Sequence, residues 1–226
     1  MTAKARGAGA HAATKRNRVR RLPEKARYDE AAVNAVLDAG LVAHAGFVQD
    51  GCPFVIPMLY AREGGSLLLH GARKARVVKL LASGAPVCVN VTLLDGIVAA
   101  RSAFNSSMNY RSAVVFGRGR LLEDAAEQMR ALEHISEHVF AGRWAELRAP
   151  HPRELRMTAV IELPIESASA KIAQGPPADE PDDYALAVWA GVVPIATTLG
   201  APEADDRVPS GVRPSRAIAS LAGRRL

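Results

Sequence analysis

Four cations fall within seven residues, Arg73, Lys74, Arg76 and Lys79, where the chain reads as the start of a helix. A helix N-terminus already carries partial positive charge, so acidic side chains belong there and basic ones oppose it. Cations over free backbone N–H groups fit a bound anion, of which phosphate is the common case. A solvated basic helix face is the bland alternative. His70 ends the preceding apolar run and adjoins the cations, a position that favours contact with a ligand held there. Without such neighbours, a lone strand-end histidine reads as a structural hydrogen-bonder.

Asn105, Ser106, Ser107, Asn109, Arg111 and Ser112 form a second polar cluster. Such groups suit a sugar-alcohol chain and a phosphate, although a hydrated loop has the same composition. Neither cluster holds an obvious general base, so no catalytic residue is assigned. That fits a cofactor that brings its own reactivity. His134-Ile135-Ser136-Glu137-His138 matches the H-x-x-E-H pattern of one zinc protease class. At about 100° per residue, Ala125, Met129, Leu132, Ser136 and Val139 share one apolar side. Both histidines then fall on the water side, and no metal site is expected. Cys52 and Cys88 have no C-x-x-C spacing and read as reduced thiols of a cytoplasmic protein. No G-x-S-x-G elbow, G-x-G-x-x-G fingerprint or P-loop occurs.

The elements that carry these residues follow from apolar periodicity. Asp29 caps a helix over 30–39 that stops at Gly40. Strands over 41–48 and 53–61 flank the turn Gln49-Asp50-Gly51. Pro57 marks an edge or an interruption of pairing. The strand 66–70 contains Leu67, Leu68 and Leu69 and is buried on both faces. The cationic helix spans 73–82. A strand over 86–94 turns at Asp95-Gly96 into 97–103, and a polar loop follows over 104–111. The strand 112–122 carries Gly117 and Gly119 as bulge or close-approach points. Asp124 caps a helix that runs to Phe140. Residues 143–154 are irregular, 157–163 is a strand, 173–181 a Pro-rich linker and 184–195 a last apolar segment. Hairpin-joined strands with few helices suggest an antiparallel barrel rather than a doubly wound sheet.

The 226 residues have a net charge of +6. Residues 1–21 hold seven cations and no acid, which leaves −1 for the remainder. This leader reads as a basic, disordered tail. No apolar run is long enough to cross a bilayer. Aromatic content is 5%, too sparse for a base-stacking surface, so nucleic acid is not an expected partner.

The stretches VIPMLYAREGGSLLLHGARKARVVKLL, GAPVCVNVTLLDGIVAARSAFNSSMNYRSAVVFGRGRLLED, EHVFAGRW and SAKIAQGPPADEPDDYALAVWAGVVPI are similar to the pyridoxamine 5′-phosphate oxidase-like flavin-binding proteins. They resemble in particular the subgroup related to nitroimidazole reductases. The resemblance covers roughly residues 22–200 and leaves 201–226 as a loose extension. It implies a mainly β fold, an antiparallel split β-barrel with peripheral helices that binds FMN at a homodimer interface. It also implies a flavin-dependent oxidoreductase acting on a small molecule, with NAD(P)H as a candidate donor. A non-catalytic flavin sensor, or a barrel binding haem or deazaflavin, is the alternative. By this resemblance Pro57, Met58 and Tyr60 lie on the strand that meets the flavin ring. His70, Gly71 and Ala72 match the strand end, and Arg76 and Lys79 match the phosphate-holding positions. Ala75 stands where the family often has Gly or a small polar residue, a loss that Arg73 or Lys74 would offset. Asn109, Arg111 and Ser112 match the segment near cofactor or subunit interface, and Trp189 the C-terminal aromatic. The basic C-terminal motif of true pyridoxamine phosphate oxidases has no counterpart, so vitamin B6 oxidation is not expected.

Overall fold

The computed structural model describes residues 9–226. Its strands, numbered along the chain, are β1 (Ala26–Arg27), β2 (Val42–Gln49), β3 (Cys52–Glu63), β4 (Ser66–Ala72), β5 (Pro86–Ala99), β6 (Ser107–Arg118), β7 (Arg120–Leu121), β8 (Thr158–Pro164), β9 (Ser167–Ala173) and β10 (Gly191–Pro194). The α-helices are α1 (Glu30–Ala39), α2 (Arg76–Ala82), α3 (Ala125–Val139), α4 (Pro152–Met157) and α5 (Arg216–Ala219). The chain divides into two compact units, 1–40 with 90–115 and 167–196, and 41–89 with 116–166 and 197–226.

In the first unit the strand order is β1-β9-β6-β5, with β10 also on β5. Asp29 caps α1 by accepting from Ala32 N, and Val33, Val36 and Leu37 of α1 are buried. Of the expected tail, residues 1–8 lie outside the described residues. Residues 9–21 are tied down: His11 N donates to Tyr28 O at 2.8 Å and Asn17 is 3% exposed. Asp95-Gly96 is not a hairpin turn. β5 runs straight through it, and Gly96 pairs with Pro194 of β10. A Cβ on Gly96 would lie 2.8 Å from Val192 Cγ1, so the glycine serves strand approach rather than chain reversal.

In the second unit the order is β2-β3-β4-β8-β7, antiparallel throughout. Asp50 and Gly51 both have positive φ, 52° and 77°, as a two-residue hairpin between twisted strands requires. β3 pairs with β4 only from Tyr60 onward, so Pro57 lies where the strand has one neighbour in this unit and its missing N–H costs nothing. Gly117 and Gly119 are close-approach points: a Cβ on Gly119 would lie 2.7 Å from Leu81 O. Ala61, Leu68, Leu122, Ala131, Ile135 and Val160 form a shared core beneath α3.

Two expectations for helices are corrected. α2 begins at Arg76, so Arg73 and Lys74 precede it in a turn. The buried residues of α3 are Gln128, Ala131 and Ile135, a stripe rotated from the apolar one. The rotation follows from Gln128, whose Nε2 donates to Leu155 O and Thr158 O at 3.0 and 2.9 Å and so is satisfied when buried. The C-terminal extension, expected to be loose, returns through α5 to a bridge between Thr198 and Arg225. Among the described residues no helix is long and apolar enough to cross a membrane.

Candidate functional site

Two cavities lie within the second unit, one with His70 of β4 in its lining and the other lined in part by α2 and by Lys74 of the segment that joins β4 to α2. The segment is shaped by burial of Leu67–Leu69 and by Gly71, where a Cβ would lie 2.9 Å from Val78 Cγ2. The backbone then turns sharply, with Arg73 N donating to Met157 O and Ala75 N to Ala72 O.

The first cavity, about 450 Å³, is lined by Gln49, Lys74, Arg76, Lys79, Leu80 and Ser83. Three cations and no carboxylate line it, an arrangement that an anion would stabilise. Arg76 lies over the Phe54 ring at 4.7 Å, and Phe54 stacks on Phe47 at 5.5 Å. Arg73 is exposed and does not line this cavity. Since α2 has seven residues and only Arg76 lies in its first turn, the anion preference rests on converging side-chain charge rather than on the helix terminus.

The second cavity, about 330 Å³, is walled mainly by Leu59, Leu132, Ile135, Val139, Phe140 and Leu155, and His70 is in its lining. His70 Nδ1 is enclosed and has no hydrogen-bond partner, and burial pushes the imidazole pKa below its usual value. The ring is therefore neutral near pH 7, the state that coordinates a metal. Thus His70 and the cations, adjacent in sequence, line separate cavities. Glu137 fastens one wall by accepting from Gly142 N and Trp144 N. At another part of the lining, Glu154 is held by Arg148 and His151 N, and its carboxyl pKa falls to about 2.

The H-x-x-E-H residues do not face water as expected. His134 meets Arg62 O at 3.0 Å and the His138 ring lies 5.7 Å from that of buried Tyr60. Glu137 is engaged by the loop amides, so the three side chains point to separate tasks. Among the described residues no group of three metal-ligating side chains occurs.

The remaining sequence-derived residues are dispersed. Met58 is 8% exposed and its Cε would lie 4.0 Å from a Cβ on Gly71, while Pro57 and Ala72 are exposed. In the first unit, Asn109 Nδ2 donates to Gly175 O at 3.0 Å and Arg111 makes a bidentate pair with Asp95. That pairing raises the Arg111 pKa. Ser112 Oγ lies 3.5 Å from Lys171 O, and Trp189 is 68% exposed. Sequence reasoning missed Gln49, Leu80 and Ser83. The buried stripe of α3 at 128, 131 and 135 carried no apolar signal at its first position, because Gln128 is polar.

No curated protein matches the chain. Among solved structures it is similar to the flavocytochrome Anf3 from Azotobacter vinelandii, with 39% identity over 93% of this chain and 98% of that one, at a TM-score of 0.88. It is also similar to the FAD and haem binding protein from Mycobacterium smegmatis, with 36% identity over 88% and 98% and a TM-score of 0.85. A putative 5-nitroimidazole antibiotic resistance protein from Bacteroides thetaiotaomicron shares the fold at 21% identity, 65% and 86% coverage and a TM-score of 0.56. The mainly β, antiparallel split-barrel class expected from the sequence is thereby borne out. The family description Pyridoxamine 5′-phosphate oxidase matches residues 29–172, and the chain belongs to that family.

Proposed function

We propose that this chain is a redox protein that binds a flavin and a haem. The observation that carries the reading is the pair of cavities at the two ends of His70–Lys79, one cationic and one apolar with a neutral imidazole. Arg76, Lys79 and Lys74 would hold the flavin phosphate, and His70 would ligate haem iron within apolar walls. FMN and FAD share that phosphate, and the description of the M. smegmatis relative favours FAD over the FMN implied by sequence. When bound, the two groups supply one- and two-electron transfer, while the chain's residues bind, orient and exclude water. Its electron acceptor is a small molecule.

A homodimer completes the proposal. The outer face of the β2–β3 hairpin presents Val42, Val48, Val55 and Leu59, each 41–64% exposed, and Val42 lies directly across from Leu59. A second copy would cover this apolar ladder. Heat release of the cofactor followed by chromatography identifies FAD or FMN, and a pyridine haemochrome assay counts haem. Absence of both groups after expression with haem and flavin precursors would overturn the reading.

A further inference from the structure

We propose that residues 15–21 form a docking surface for a small acidic electron-carrier protein. The electron-carrier part of this inference rests on the redox reading above. Lys15, Arg16, Arg18, Arg20 and Arg21 crowd this loop. Residues 9–27 hold seven cations against Glu24, a net +6 that equals the charge of the whole chain.

Mutual repulsion favours a solvated, shifting loop, yet this one is pegged. Asn17 Oδ1 accepts from Thr14 N and Oγ1 at 2.7 and 3.0 Å. Its Nδ2 donates to Ala12 O and, on β9, to Ala168 O at 3.1 and 2.9 Å. Val19 N donates to the Tyr28 hydroxyl at 3.0 Å. The neighbours Arg16 and Arg18 are exposed on either side of the buried asparagine. Among the described residues the side chains of Lys15, Arg18, Arg20 and Arg21 have no acidic partner. In the same unit Arg101 and Arg111 each pair with a carboxylate, Asp179 and Asp95.

Like charges held in place raise the electrostatic energy of the free protein, and a partner's carboxylates offset it. The guanidinium fork matches a carboxylate with two parallel hydrogen bonds. Residues 9–27 contain no Phe, Tyr or Trp to stack on bases and no α-helix to enter a groove. These features favour an acidic protein over nucleic acid.

The test uses the full chain and a labelled plant-type [2Fe–2S] ferredoxin as the acidic probe. Affinity for the wild-type chain should fall steeply as salt rises, since exposed charge pairs are screened over about 10 Å at 0.1 M. The variant R18E/R20E/R21E should bind at least about tenfold more weakly. Its flavin should be reduced by ferredoxin more slowly by a similar factor, and by dithionite at the unchanged rate. R18Q/R20Q/R21Q, intermediate in effect, separates lost charge from misfolding when melting is unchanged. Equal ferredoxin binding by wild type and charge-reversed variant would sink the proposal, as would tighter binding to a short DNA duplex or to anionic vesicles at the same salt. A chain without flavin defeats the redox reading but leaves the binding arm readable.

Discussion

The guanidinium of Arg76 stands 4.7 Å over the centre of the Phe54 ring, at the rim of the cationic cavity. The ring face attracts the cation and limits where its N–H groups point, which pre-organises Arg76 for an anion arriving beside Lys79.

Removing both charges, Arg76→Ala with Lys79→Ala, should weaken flavin retention by at least about 1.5–3 kcal/mol, the range of one charge-assisted hydrogen bond. Phe54→Leu should cost less, about 0.5–1 kcal/mol, because the cation remains. Fluorescence titration of the apoprotein with FAD and FMN measures both, and unchanged affinity in the double variant contradicts the phosphate assignment.

Acid stability should report Glu154. Its folded pKa is lowered to about 2 by the Arg148 hydrogen bond first and by His151 N next. A carboxyl with a depressed folded value contributes stability above its unfolded pKa, here the ordinary 4.5, and loses it as pH falls through about 2. The Glu154→Gln variant should therefore show a shallower fall in melting temperature across that window. Parallel curves for the two proteins would mean the pair contributes nothing.

Gly119 has no room for a methyl group between Leu81 O and Ile161 Cγ2, both 2.7 Å from the Cβ position. Gly119→Ala should destabilise the fold by about 1–3 kcal/mol, the usual cost of overpacking. Urea unfolding tests it, with Gly65→Ala, which meets nothing within 4 Å, as the matched control.

The hairpin face makes a prediction about assembly. Val55 is 64% exposed at the centre of the apolar ladder, opposite Gly46. Val55→Glu should convert a homodimer to monomer by light scattering, with little change in the monomer's secondary structure. A monomeric wild-type chain would remove the proposed interface.

Much of this architecture is legible in local sequence. Asp29 and Asp124 accept from the amides three residues on, at 2.8 and 2.9 Å, where cap chemistry puts them. Gln49-Asp50-Gly51 turns the chain because positive φ is available there. Asp95-Gly96 misled because the same dipeptide also serves close strand approach, and β10, which demands it, lies almost a hundred residues later. The orientation of α3 was hidden by Gln128, a polar residue whose burial depends on two distant carbonyls. The cations were legible as a cluster, but their separation from His70 was not. A strand end and the turn after it can face opposite cavities, and neither composition nor spacing reports the direction.

The most direct measurement is the absorbance spectrum of the purified protein beside that of His70→Ala. Wild type should show both the flavin bands and a Soret band, and the variant should keep the flavin bands while losing the Soret band. A wild-type spectrum without flavin bands, or a Soret band untouched by the substitution, would contradict the assignment of the two cavities.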